Sequence, residues 1–132
     1  MNPALLIIGS IFAVLAALVH VAIFYFESIV WTKPATWKRF GLASQADADT
    51  VRPMAYNQGF YNLFLAIGAV VGVVLLSTDA AQAGYAVALF STLSMVAAAT
   101  VLVLSNSKLA RAALTQGALP LVAVLFLLLA LI

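Results

Sequence analysis

The chain has 132 residues, of which 66% are hydrophobic and only 8% charged, with a mean hydropathy of +1.18. An ordinary soluble domain is about one-quarter charged, so this composition excludes both a water-soluble globule and a disordered chain. With no cysteine there is no disulfide, thiol nucleophile or thiolate metal site, and a net charge of +2 is too small to point to nucleic acid.

Residues 1–26, 53–78, 80–107 and 112–132 contain no Asp, Glu, Lys or Arg. Each stretch reaches about 20 residues, enough for a hydrocarbon core roughly 30 Å thick. In lipid every backbone polar group must be bonded internally, so each stretch becomes a helix. The expected fold is all-α: one integral membrane domain, residues 1–132, forming an antiparallel bundle of four transmembrane helices. The spans fall at about 3–30, 55–77, 83–105 and 109–131. The first lacks a basic leading segment and is too long for a cleaved signal peptide. Pro3 suits its first turn.

Span one carries two ionisable groups, His20 and Glu27. Seven residues apart, they differ by only about 20° around an ideal helix and lie about 10.5 Å apart along its axis. Phe24 and Trp31 continue the same stripe. That rise is long for a direct hydrogen bond, so water, another side chain or a ligand would have to bridge them.

Between spans one and two, Trp31, Trp37 and Phe40 alternate with Lys33, Lys38 and Arg39. Pro34 can start a short helix here and Gly41 can end it. Aromatic and basic residues together predict an interfacial helix whose rings anchor the chain at the membrane surface. A lid that binds anionic headgroups is the sharper alternative. Ser44 and Asp47 form a capping pattern for a short turn, and Pro53 is expected to kink the start of span two.

Span two opens on Tyr56-Asn57-Gln58-Gly59-Phe60-Tyr61-Asn62. Asn57 stacks with Tyr61, and Gln58 with Asn62, at four-residue spacing. Gly68 and Gly72 form a GxxxG pattern that serves close packing within the chain or, alternatively, a homodimer seam. Thr78 or Asp79 is expected to cap span three, Asn106 to end it in a left-handed conformation, and Ser107 to cap span four. Span three offers only hydroxyls, which can bond their own helix. Span four adds Gln116, about one turn inside the membrane.

All six Lys and Arg fall in the first and third connections, between spans one and two and between spans three and four. This bias predicts cytoplasmic basic loops, both termini outside, and a multi-pass protein of the cell membrane. Polar groups of three spans then converge on the cytoplasmic half, while the outer half is nearly all aliphatic. Intramembrane ionisable residues mark functional sites by default. His20, Glu27, Asn57 and Tyr61 are expected to line one cavity with Gln58, Asn62 and Gln116 nearby. The alternative is a structural network in which Glu27 snorkels to water and the amides glue helices together. One histidine and one membrane carboxylate fall short of the three or four ligands of a zinc site. No cofactor motif is present, so no cofactor is expected.

His20-x-x-Ile23-Phe24-x-x-Glu27 with Trp31, and Asn57-Gln58-Gly59-x-Tyr61-Asn62 followed by Phe64-Leu65-Ala66, resemble the small four-helix membrane family called domain of unknown function 1304. The resemblance covers essentially the whole chain. It implies the four-helix fold and a site at these residues, and it implies no reaction. In residue types alone the set is also similar to the cytoplasm-facing His/Glu/Trp pocket of emopamil-binding-like sterol isomerases.

Two functional readings follow. The first is a membrane-embedded acid–base enzyme, an isomerase or cyclase for a lipophilic or amphipathic small molecule. His20 and Glu27 would be catalytic, with Phe24, Trp31, Asn57, Gln58, Tyr61, Asn62 and Gln116 holding the ligand. The second is a non-catalytic protein: a proton-linked small transporter, or a lipid-binding or scaffold protein. In both, membrane lipids are partners.

Overall fold

The computed structural model describes residues 1–132, all helix and turn without a strand. Asn2 caps α1 (Pro3–Phe24): its side chain accepts from the backbone N–H groups of Ala4 and Leu5, at 3.1 and 3.3 Å. The helix runs directly into a π-helical turn, Tyr25–Ile29, where the N–H of Val30 reaches back five residues to the carbonyl of Tyr25 at 3.1 Å. A single helical turn, α2 (Pro34–Trp37), begins at Pro34, tightens into a 3-10 turn over Lys38–Phe40 and stops at Gly41. Gly41 has φ 80°, a left-handed conformation that glycine adopts without penalty.

The next helix differs from expectation. α3 (Gln45–Leu75) has 31 residues and continues unbroken through Pro53. Ser44 caps this long helix rather than a separate turn: its Oγ accepts from the N–H of Asp47 at 3.1 Å and donates to the Asp47 carboxylate at 2.6 Å. Proline removes one helix hydrogen bond, to the carbonyl of Asp49. Both residues are exposed, so water can take up that carbonyl. At 1.5 Å per residue α3 is about 46 Å long, so roughly ten residues extend beyond a 30 Å core.

Two capping expectations also change. Thr78 Oγ1 accepts from the N–H of Ala80 at 3.1 Å, one residue before α4 (Ala81–Ser105), and neither Thr78 nor Asp79 caps the helix itself. Asn106 is extended (φ −152°) rather than left-handed. Its side chain accepts from the N–H of Lys108 at 3.1 Å, taking the role foreseen for Ser107. A 3-10 turn, Ser107–Leu109, then leads into α5 (Ala110–Leu129).

Four helices are long and apolar enough to cross a membrane, which makes this a multi-pass membrane protein. They form a ring in chain order: α1 on α3, α3 on α4, α4 on α5, and α5 back on α1. The ends meet where the N–H of Asn2 donates to the carbonyl of Ala130 at 2.7 Å. The Tyr85 hydroxyl ties α4 to α5 through the Leu127 carbonyl at 2.9 Å.

The core is built of small residues. Ala16, Ala17, Ala66, Ala69 and Met95 are almost wholly buried, while Ile7, Ile11, Phe64, Phe90 and Leu104 point outward. Lipid tails are as apolar as leucine, so helices gain by close backbone approach rather than by hiding large side chains. At Gly72 an added Cβ would meet the backbone N of Ala88, and at Gly68 it would meet the Ser91 hydroxyl. The GxxxG face is therefore filled by α4 of the same chain. A homodimer seam on it would require α4 to leave.

The loop aromatics correct another expectation. Trp31 and Trp37 are buried, packed with Ala48 and Ala55 and flanked by Phe40, Leu42 and Val51. Trp31 Nε1 donates to the Ala48 carbonyl at 2.9 Å and Trp37 Nε1 to Gln45 Oε1 at 3.0 Å. A buried indole needs a partner for its N–H, and both find one on α3. The rings fasten the projecting start of α3 to the loop instead of anchoring in lipid. Outside them, Lys38 lies over Trp37 and Arg39 over Phe26, at 5.6 and 5.0 Å from the ring centroids.

Candidate functional site

Glu27 sits in the π-helical turn at the basic end of the bundle, half-buried against α3. Its Oε2 accepts from Asn62 Nδ2 at 3.0 Å, and the same amide donates to the Gln58 carbonyl at 3.1 Å. Glu27 forms no ion pair with Lys33 or Arg52. Next to it, the Ser28 hydroxyl donates to the Tyr56 carbonyl at 2.9 Å. Successive residues of an α-helix point about 100° apart. The wider π turn reduces that step, which lets neighbours 27 and 28 both face α3. Single π turns of this kind recur at functional sites.

Gly59 makes the approach possible. A Cβ there would run into the Ser28 hydroxyl, and would stand 3.1 Å from Glu27 Cβ and 3.2 Å from the Phe24 carbonyl. Gly59 and Ser28 are therefore parts of the site that sequence reasoning passed over. The signal was present: a glycine amid four polar residues of a membrane helix marks a close approach.

The remaining candidates lie in four places. His20 is 1% exposed, on the inner stripe of α1 that holds Ala13, Ala16 and Ala17. Its Nδ1 lies 2.9 Å from the Ala16 carbonyl. A carbonyl only accepts, so Nδ1 carries the hydrogen and Nε2 of the neutral ring is an acceptor. Gly9 packs on Leu127. Eleven residues further along α1, and eleven back along antiparallel α5, His20 is level with half-buried Gln116. Phe24 meets Phe60 edge-on at 5.1 Å, and Tyr56 and Phe64 extend that aromatic row. Trp31 belongs to the loop core. Asn57, Gln58 and Tyr61 are exposed on α3, Tyr61 to 60%.

The structure thus joins Glu27 directly to Asn62 and places Gln58 one helical turn away. It does not bring His20 and Tyr61 into one enclosed cavity. The ideal 100° stepping that aligned His20 with Glu27 fails at the π turn. A cavity of about 440 Å³ exists at the opposite end, lined by Leu6, Ile7, Ser10, Val14, Val73 and Ser77 among others. It holds no ionisable group, and the Ser10 hydroxyl donates to its own helix at the Leu6 carbonyl, 2.8 Å away.

No curated protein and no solved structure matches the chain. Residues 14–128, which contain both polar motifs and all four spans in whole or part, match the family described as "Protein of unknown function (DUF1304)", and the chain belongs to that family.

Proposed function

We propose that this protein binds a lipophilic or amphipathic small molecule at Glu27, in the membrane half nearest its basic loops, and acts on it as an acid–base isomerase or cyclase. The observation that carries this reading is the pairing of Glu27 with a neutral amide alone. Oε2 takes one hydrogen bond from Asn62, and Oε1 has no protein partner. A carboxyl group at membrane depth without a cation is costly unless it serves a ligand or a proton. His20 supplies a second group, with Nε2 free to accept. Isomerisation of this kind is redox-neutral: one proton leaves one carbon and another is delivered elsewhere. The two groups lie roughly two helical turns apart, which suits an elongated substrate or an intervening water. Transport fits less well, because Gly72, Gly84 and Ala88 close α3 on α4 at the far end with backbone contact.

Dicyclohexylcarbodiimide, an apolar reagent that adds to protonated carboxyl groups in membranes, tests the site. Glu27 is the only acidic residue within residues 3–30, 55–77, 83–105 and 109–131, and Asp47 and Asp49 lie near the start of α3, before these stretches. Mass spectrometry should find the adduct on Glu27 and not on Asp47, Asp49 or Asp79. A carboxylate that merely snorkels to water would stay unmodified, and the reading would fall.

The basic end is assigned to the cytoplasm of the cell membrane by its six Lys and Arg, with α2 along that interface and both termini outside. The natural chain has no cysteine, so single cysteines can be read cleanly. Those introduced near residues 2 and 80 should react with an impermeant maleimide added outside. Those near 45 and 107 should react only after permeabilisation. The reverse pattern would invert the topology.

A further inference from the structure

The α3–α4 seam changes character along its length. On α3 the face carrying Gly72 and Gly68 continues, at three- and four-residue steps, through Leu65 to Tyr61 and Gln58. On α4 the matching face runs from Gly84, Ala88 and Ser91 through Met95 to Ala98 and Leu102. At the far end both faces are closed: Gly72, Ala88, Ser91 and Met95 are buried. At the basic end they are open: Gln58, Tyr61 and Ala98 are exposed and Leu102 is half-buried. The seam is therefore covered at the far end and open to the surface on the side nearest the loops. The side chains of Gln58 and Tyr61 make no hydrogen bond within the protein, although polar groups at membrane depth normally find partners. Asn62, the partner of Glu27, adjoins both: it follows Tyr61 in the chain and bonds the Gln58 carbonyl.

We infer that this exposed end of the α3–α4 seam is a side opening through which an amphiphile with an uncharged or cationic hydrogen-bond-donating head, an alcohol or an amine, reaches Glu27 from the bilayer. The inference rests on Glu27 being the working group of the proposed site. The head group follows from charge. Glu27 accepts hydrogen bonds, and α3 from Pro53 onward and all of α4, the two helices that flank the opening, carry no Lys or Arg to hold a phosphate or carboxylate. Gln58 and Tyr61 offer neutral donors and acceptors along the way. The tail would remain among the lipid chains, level with the aliphatic outer surface of α4.

The test uses the full chain in phosphatidylcholine nanodiscs and four diazirine-bearing sixteen-carbon probes: an alcohol, an amine, a phosphate and a plain alkane. After photolysis, the alcohol and the amine should label the α3 segment around residues 57–62 and the facing turns of α4. The phosphate and the alkane should label these no more than the rest of the lipid-facing surface. Gln58→Leu with Tyr61→Leu, both at exposed positions, should lower alcohol and amine labelling about tenfold, the loss of one or two hydrogen bonds. Equal labelling by the phosphate, or labelling that the double substitution leaves intact, overturns the inference. If Glu27→Gln removes amine labelling while Gln58→Leu with Tyr61→Leu leaves it intact, the opening is wrong and the Glu27 site stands. If no probe labels above the alkane and the carbodiimide adduct also fails to form, both fall.

Discussion

Gly72→Leu should prevent the bundle from closing. A Cβ at this position would stand 2.7 Å from Ala88 Cα and 2.8 Å from Ala88 Cβ. The contact is reciprocal, since a Cβ on Gly84 would meet the Gly72 carbonyl and the Leu76 nitrogen, each at 2.7 Å. These are main-chain atoms of two helices, and no side chain can swing aside to make room. Overpacking typically costs about 1–3 kcal/mol even where neighbours can shift, and here they cannot. In detergent the thermal midpoint should fall by roughly 10 °C or more, or the chain should fail to be recovered folded. Gly68→Ala is the control: its Cβ would meet only the Ser91 side chain, which can rotate, and the loss should be small. An unchanged midpoint with conversion of a dimer to a monomer would instead make this face an intermolecular seam.

The spans were legible because charge is so sparse: the gaps between charged residues mark four helices whose cores the structure reproduces. The start of α3 was not. Outside the bilayer a helix has no hydropathy boundary, and Pro53 with its charged neighbours reads as a break, although the Ser44–Asp47 cap belongs to the long helix. Composition also misled at Trp31 and Trp37. Aromatic and basic residues in alternation look alike whether the rings enter lipid or a small protein core, and only the fold supplies Ala48 and Ala55 to receive them. At the site, residue types and position along the bundle were readable and azimuth was not. Glu27 and Asn62 share a depth in any antiparallel pairing of spans one and two. That Asn62 rather than Asn57 or Tyr61 reaches the carboxylate depends on the π turn, which has no signature in the local sequence, and on Gly59, which sets how closely α3 approaches.

Glu27→Gln should separate a working carboxyl group from a structural one. Glutamine keeps the length and shape of the side chain, and its carbonyl oxygen can accept the hydrogen bond that Asn62 Nδ2 now gives to Glu27 Oε2. Packing against Gly59 and the Ser28–Tyr56 hydrogen bond do not involve the carboxyl charge, so the thermal midpoint should stay within a few degrees. What disappears is the acidic proton and the negative charge. Removing a positioned acid or base typically lowers turnover by about 10²–10⁴-fold. Even before a reaction is assigned, photolabelling by the sixteen-carbon amine should fall to the level of the plain alkane. Labelling by the alcohol should fall less, because an amide oxygen still accepts its hydroxyl. Glu27→Leu gives the opposite balance: it strips the acceptor from Asn62 and should cost about 1–3 kcal/mol of stability by leaving a half-buried amide unpaired. A Glu27→Gln protein that loses stability while labelling by the amine is unchanged would show that this carboxylate only holds α3 against the π turn.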